Sequence, residues 1–217
     1  MNFDPIAPHY RWIELLGAGG TLQRCRTAFL QQIPAPKNVL ILGEGNGRFL
    51  TGLRRQFAGA AVTCVDSSAR MLDLARARLV RHQLHTGNIR FIHADALAWP
   101  PPHKEFDLIA THFFLDCFRM DQVAALVEKL GAAATSDALW LLSDFQIPAR
   151  GLRRCRARLI LWMLYAFFRA TARLPARKLV CPDHFLKEAG FTLAHRRLYE
   201  WDLLRADWWG RNPAPQR

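Results

Sequence analysis

The sequence predicts an α/β fold: a doubly wound, mostly parallel, seven-stranded sheet with helices on both faces and a long helical insertion after strand five. Three observations carry this expectation. Short apolar runs alternate with stretches of helical spacing from Asn38 onward, the rhythm of strand–helix–strand crossovers that cover both faces of a parallel sheet. After Asp144 the alternation gives way to one helix-length stretch. The 217 residues, 51% of them hydrophobic, suffice for one domain with a buried core and exclude disordered or low-complexity architectures.

The elements follow in order. The breaker Pro34-Ala35-Pro36 precedes an apolar run at 38–43, a buried strand, and 48–57 then has helical spacing. A second β-branched run at 61–65 leads through Ser67-Ser68, a cap, into a helix at 69–84 with Met71, Leu72, Leu74, Ala75 and Leu79 on one face. Strands at 89–93 and 106–110, a helix at 121–130 and a fifth strand at 139–143 continue the alternation. Residues 150–174, bounded by Pro148 and Pro175, read as one long helix. A short helix at 182–189 ends on Gly190, and 191–198 with 201–204 supply the last two strands.

The formal charge is +12, and its placement is uneven: fifteen basic and thirteen acidic residues stand through Asp144, fifteen and five after it. A protein devoted to gripping phosphate would spread its basic side chains along a groove, so the pattern predicts a nearly neutral core with a basic appendage. Five widely spaced cysteines with no CxxC pair argue against a disulfide framework and against a metal site. Residues 1–10 contain no apolar leader, and the longest apolar run, 159–168, is too short to span a bilayer. The expectation is a cytoplasmic protein, soluble or peripheral at the membrane.

Chemistry concentrates where the first strand ends, in Leu42-Gly43-Glu44-Gly45-Asn46-Gly47. Alternate glycines let the backbone turn tightly and approach a ligand closely at the start of a helix. Asp66 ends the second strand, 21 residues after Gly45, where a doubly wound sheet places a carboxylate beside a ribose; Asp95 ends the third on the same edge. These positions predict a nucleoside-sized pocket. Arg48 stands where a dinucleotide fingerprint needs its third glycine, which disfavours a nicotinamide oxidoreductase.

The GxGxG spacing with an acid inside the loop resembles the first motif of class I S-adenosylmethionine-dependent methyltransferases. Val62 to Asp66 with Ser67 and Met71 resembles their second motif, Ile89 to Leu97 with Asp95-Ala96 their third, and Phe106 to Thr111 their fourth strand. The resemblance covers 39–144, and the Phe3 to Tyr10 segment is similar to the start of the ubiquinone/menaquinone-methyltransferase-like branch, whose N-terminal segment closes over the cofactor. It implies a Rossmann-like single domain: an N-terminal cap at 1–36, a cofactor-binding core at 37–145, a helical lid at 146–190, and C-terminal strands and tail at 191–217.

It also implies residue roles. Gly43 to Gly47, with Asn46 among them, would pack on the methionine part of S-adenosylmethionine; Asp66 and Ser67 would hold the ribose end; Asp95 and Ala96 would read the adenine, with Met71 against its face. Thr111 and His112 would face the sulfonium, and Tyr10 would close over the cofactor. Ile41 stands where the family commonly has an acid, so either Glu44 takes over part of that role or backbone carbonyls alone hold the methionine ammonium.

The acceptor is read from Thr111-His112-Phe113-Phe114. Amino-methylating nucleic-acid enzymes carry an Asn/Asp-Pro-Pro-aromatic tetrapeptide there, absent here, which makes a small-molecule acceptor the first reading, RNA or protein the alternative, and a silent scaffold of the same fold the next. Phe113, Phe114 and Phe118 could stack a base or wall a small apolar or aromatic acceptor. Methyl transfer is an in-line displacement in which the protein contributes alignment and water exclusion; where a base is needed, His112 is the first catalytic candidate, before Asp144 and Asp116. Finally, Arg150, Arg154, Arg158, Arg169, Arg173 and Arg177 share one stripe of a long helix that is otherwise apolar, with Trp162 and Tyr165 between them. That helix requires a cover: a lipophilic substrate, a partner subunit, or an anionic membrane surface touched through 150–177.

Overall fold

The computed structural model describes residues 19–172, 176 and 178–211. Among the described residues seven strands form one sheet: β1 (Asn38–Leu42), β2 (Ala61–Asp66), β3 (Ile89–His93), β4 (Phe106–His112), β5 (Ala134–Phe145), β6 (Thr192–Tyr199) and β7 (Leu204–Gly210). Their order is β3-β2-β1-β4-β5-β7-β6, parallel throughout except that β7 runs antiparallel to both β5 and β6. The doubly wound, mostly parallel sheet is therefore present.

Helices cover both faces because the central strands are apolar on both. In β1, Val39 and Ile41 join one core, with Phe29, Phe49, Leu50, Leu53 and Leu79, while Leu40 and Leu42 join the other, with Val123, Leu126, Val127 and Leu130. The first face carries α1 (Gly19–Arg26), α2 (Arg48–Gln56), α3 (Ala69–Arg81) and α5 (Gly151–Ala172); the second carries α4 (Met120–Ala133) and α6 (Asp183–Glu188). In α3 the buried face is Met71, Leu72, Ala75 and Leu79, and Leu74 falls outside it, 39% exposed. Ser68 is its N-cap, its hydroxyl accepting from the Met71 N–H at 3.1 Å.

Several boundaries differ from the sequence expectation, β5 among them, which begins at Ala134 and runs to Phe145 where 139–143 was expected. Residues 201–204 do not form the seventh strand: Glu200, Trp201 and Asp202 all have φ between +50° and +65°, a reversal that returns the chain into β7. β7 was hidden by Arg205 and Asp207, polar residues buried inside the sheet and neutralised by ion pairs rather than by water. The long helix starts at Gly151, after Arg150, and Arg173 and Arg177 lie outside the described residues, as do the Phe3 to Tyr10 segment and with it Tyr10. β4 runs two residues past the expected end, to His112, and that shift decides which side chains meet the site.

Candidate functional site

β1 is flanked by β2 on one side and β4 on the other, so the crevice beyond its carboxyl end opens where the strand order reverses. An open cleft lies there. Gly43, Gly45, Asp66, Ser67, Met71, Asp95 and Ala96 line one half; Phe113, Phe114, Asp116, Cys117, Phe118 and Phe145 line the other. Leu22 and Arg26 of α1 close one flank, and Leu161, Leu164, Tyr165 and Phe168 of α5 form a further wall.

The glycine loop divides its labour. Gly43 has φ +64°, and a Cβ there would drive into the Phe114 ring, so the absence of a side chain keeps the two halves of the cleft in contact. Gly47 has φ +83° but faces inward: a Cβ would come within 2.7 Å of the Ala75 Cα, so this glycine serves the close packing of α2 on α3. Asn46 also lies outside the cleft, its carbonyl accepting from Arg78 Nε at 2.7 Å.

Asp66 is the anchor of the polar half. Its carboxylate accepts from the Gly45 N–H at 3.1 Å and the Ser68 N–H at 2.9 Å, tying the glycine loop to the second strand end, and it lines the cleft at 7% exposure. Since Ser68 caps α3, Asp66 is not needed for that purpose. Asp95 lines the cleft from the third strand end, its Oδ1 accepting from the Leu97 N–H at 2.9 Å. The turn after it is pinned from across the domain: the Lys129 ammonium of α4 donates to the carbonyls of Ala96, Leu97 and Trp99.

Besides Asn46 and Gly47, three more expected contributors stand elsewhere. Glu44 turns onto the first turn of α2, accepting from the Leu50 N–H at 2.9 Å, so it satisfies an orphan donor of that helix rather than facing the cleft. Burial there pushes its carboxyl up to about 7. Thr111 is buried beneath the sheet and accepts from the Trp140 indole at 2.8 Å. His112 is buried on the opposite face, edge-on to Phe49 at 4.3 Å between ring centroids. The Ser143 hydroxyl spends its hydrogen on the Cys25 carbonyl at 3.1 Å, so His112 Nδ1 must donate to Ser143 Oγ at 2.9 Å, leaving Nε2 a bare acceptor without a partner among the described residues. Burial, helped by Arg26, lowers its pKa to about 3, so the ring is neutral, and it does not line the cleft. These positions correct the reading of Thr111 and His112 as cleft residues.

The cleft holds a different acid-base group. Asp116, in the turn after β4, lines it with Asp144, at the end of β5, close by; burial raises the Asp116 carboxyl to about 6 and that of Asp144 well above its usual range, the two charges opposing one another. Asp144 accepts from the Phe145 N–H at 2.8 Å, and the Cys117 thiol leans toward Asp116 Oδ1 at 3.5 Å. Tyr165 of α5 donates to the Asp116 carbonyl at 3.0 Å, fastening the helical wall to this turn. Around the pair the lining is aromatic, with Phe114 against Phe118 at 5.0 Å and Phe113 against Phe145 at 5.5 Å between centroids. Arg26, 5.0 Å over the Phe113 ring, is the cation at the cleft's edge. Neither Arg26 nor Tyr165 nor Lys129 has a local sequence signal, because each reaches the site from a helix distant in the chain.

Residues 39–136 match a protein family described as a methyltransferase domain. A demethylmenaquinone methyltransferase from Thermus thermophilus is 34% identical over 151 residues, which cover 69% of this chain and 66% of that protein. Among solved structures, the mitomycin 7-O-methyltransferase MmcR is similar with a TM-score of 0.68 at 16% identity, over 98% of this chain and 61% of that one. The N-methyltransferase NodS from Bradyrhizobium japonicum, solved with S-adenosyl-L-homocysteine, is similar with a TM-score of 0.60 at 17% identity, over 90% of this chain and 85% of that one. At such identities the structural likeness carries the fold.

Proposed function

This chain belongs to the class I S-adenosylmethionine-dependent methyltransferases, and from that premise we propose that it transfers a methyl group to a small, apolar, aromatic acceptor seated against Phe113, Phe114, Phe118 and Phe145. The observation that carries the proposal is the division of one cleft into a polar half floored by Asp66 and Asp95 and an aromatic half containing the single carboxylate of Asp116. The residues fit the cofactor: a glycine-lined approach that a Cβ at Gly43 would fill, an acid at the second strand end, and an arginine at the edge. The cofactor supplies a methyl group on a positively charged sulfur, open to in-line displacement.

The chain's own residues do the rest. Asp66 would hold the ribose hydroxyls, Met71 would lie against the adenine, Asp95 and Ala96 would read its edge, and Arg26 would take the carboxylate of the amino-acid tail. Aromatic rings and α5, the helical lid, exclude water and align the acceptor. Asp116 would accept the proton that the acceptor gives up on methylation. Asp144 lies beside it, its own carboxyl raised well above the usual range by burial and by the Asp116 charge.

A reduced demethylmenaquinone is the first acceptor to test, because the Thermus thermophilus relative carries that name. Incubation with S-adenosylmethionine is expected to give the methylated quinol by mass spectrometry; no methylated product from it or from a panel of phenols and hydroquinones would contradict the proposal. The Asp116 carboxyl is protonated below about 6 and ionised above it, so turnover rises with pH through that value. Asp116→Asn is expected to lower kcat by about 100-fold and abolish that limb, with cofactor affinity by calorimetry unchanged.

A further inference from the structure

Helix α5 is apolar on two opposite faces. Ala157 and Leu161 face the core, and Leu164, Tyr165 and Phe168 face the cleft. On the far side Leu152 is 88% exposed, Leu159 57%, Trp162 69% and Met163 49%. At about 100° per residue, positions 152, 159 and 163 fall within an arc of about 40°, Trp162 lies about 60° beyond one edge of it, and Arg169 and Arg158 follow about 20° and 40° further round. The 22 residues of α5 include Arg153, Arg154, Arg156, Arg158 and Arg169 and no aspartate or glutamate. Arg153 is paired with Asp202 at 2.9 Å, and Arg156 bonds the Glu200 carbonyl and stacks on Trp201; Arg158 and Arg169, on the other flank, have no acidic partner among the described residues.

We propose that this outer face of α5 docks on an anionic phospholipid surface, with Leu159, Trp162 and Met163 entering the headgroup boundary and Arg158 and Arg169 meeting lipid phosphates. An apolar row bordered by unpaired arginines, with an exposed tryptophan beside it, has the composition of an interfacial helix. No helix among the described residues is long and apolar enough to cross a membrane, so the contact is made from one side. A second copy is the poorer occupant: two α5 faces related by a twofold axis would bring equally basic helices together. Because the inner face of the same helix walls the cleft, docking sets the cleft beside the acyl region, within reach of a lipophilic acceptor. The docking stands on the surface of α5 and does not depend on the acceptor proposed above.

The test is co-sedimentation with vesicles of phosphatidylcholine alone and of phosphatidylcholine with phosphatidylglycerol. The protein is expected to bind the anionic vesicles and to be released from them by salt. Arg158→Gln with Arg169→Gln is expected to weaken that binding by about 30-fold, and Leu159→Ser with Trp162→Ser by at least about tenfold. In both variants circular dichroism and the heat of S-adenosylhomocysteine binding are expected to be unchanged, which separates a failure of docking from a failure of the methyltransferase reading. Equal partition onto neutral and anionic vesicles, or binding that neither variant weakens, would overturn the proposal. A concentration-dependent dimer in light scattering that Leu159→Ser with Trp162→Ser dissolves would give the face to a second copy instead.

Discussion

Replacing Asp66 by alanine is expected to weaken S-adenosylhomocysteine binding by about 100-fold, read as a calorimetric Kd. Hydrogen bonds from two ribose hydroxyls to a carboxylate are each worth about 1.5–3 kcal/mol net of competition with water, so losing both at the low end of that range costs about 3 kcal/mol. The loss has a second source. Asp66 also receives the N–H groups of Gly45 and Ser68, so without it the glycine loop is untied from the second strand end. Asp66→Asn separates the two effects. Its single oxygen can serve one backbone N–H well and the other poorly, and it carries no charge, so its affinity is expected to fall between wild type and the alanine variant. An alanine variant that binds like wild type would remove Asp66 from the site.

Asp207→Ala is expected to cost about 3–5 kcal/mol of stability, seen as a fall of about 10 °C in the thermal midpoint. Asp207 is fully buried in β7 and takes two bonds from Arg196, at 2.7 Å each, with Arg205 at 3.6 Å. Arg205 is itself only 3% exposed and also pairs with Asp183 at 2.6 Å. Removing one carboxylate from this group strands two guanidinium groups, one of them deep in the protein, on a single remaining acid. The exposed pair Arg76–Asp73 provides the contrast: Asp73→Ala is expected to change stability by less than about 0.5 kcal/mol. The network also sets an acid limb. Burial alone would raise the Asp183 carboxyl, but Arg205 and Arg196 hold it at about 2, below its ordinary 3.8. Its folded-state pKa is thus depressed, so its contribution is fully present above about pH 4 and is lost as pH falls toward 2.

The parts of the site that were legible in the sequence are those fixed by strand ends. Asp66 and Asp95 follow apolar runs whose length leaves no doubt where the strand stops, and a doubly wound sheet brings its strand ends to one edge. The fourth strand defeated the same logic. It continues through Thr111 and His112, and alternation in a strand sends these to opposite faces, one to Trp140 and the other to Phe49. The chain leaves the sheet only at Phe113, whose φ of +53° turns it across the cleft, so Phe113, Phe114 and Asp116 meet the space expected for Thr111 and His112.

Charge patterning misled in a similar way at β7. Arg205 and Asp207 have the look of a solvated turn, yet each is neutralised by a partner from another element, and no local periodicity carries that information. The first helix was equally silent. It begins on Gly19-Gly20, weak helix formers, and is held by long-range contacts such as the Cys25 thiol on the Arg205 carbonyl and the Cys25 carbonyl under Ser143. Arg26 reaches the cleft through those contacts, whereas Ser68, Gly190 and the apolar face of α3 could be placed from local sequence because capping and amphipathic spacing are local properties.

The proposed methyl transfer requires that the cleft beyond β1 receive an adenosyl group with its sugar on Asp66. A crystal structure grown with S-adenosylhomocysteine tests this most directly. Both ribose hydroxyls are expected within hydrogen-bond distance of the Asp66 carboxylate, the amino-acid tail passing Gly43 toward Arg26, and the sulfur facing Asp116 across the aromatic half. A cleft closed by Phe114 and Met71 with the nucleoside absent, or bound at another surface, would contradict it.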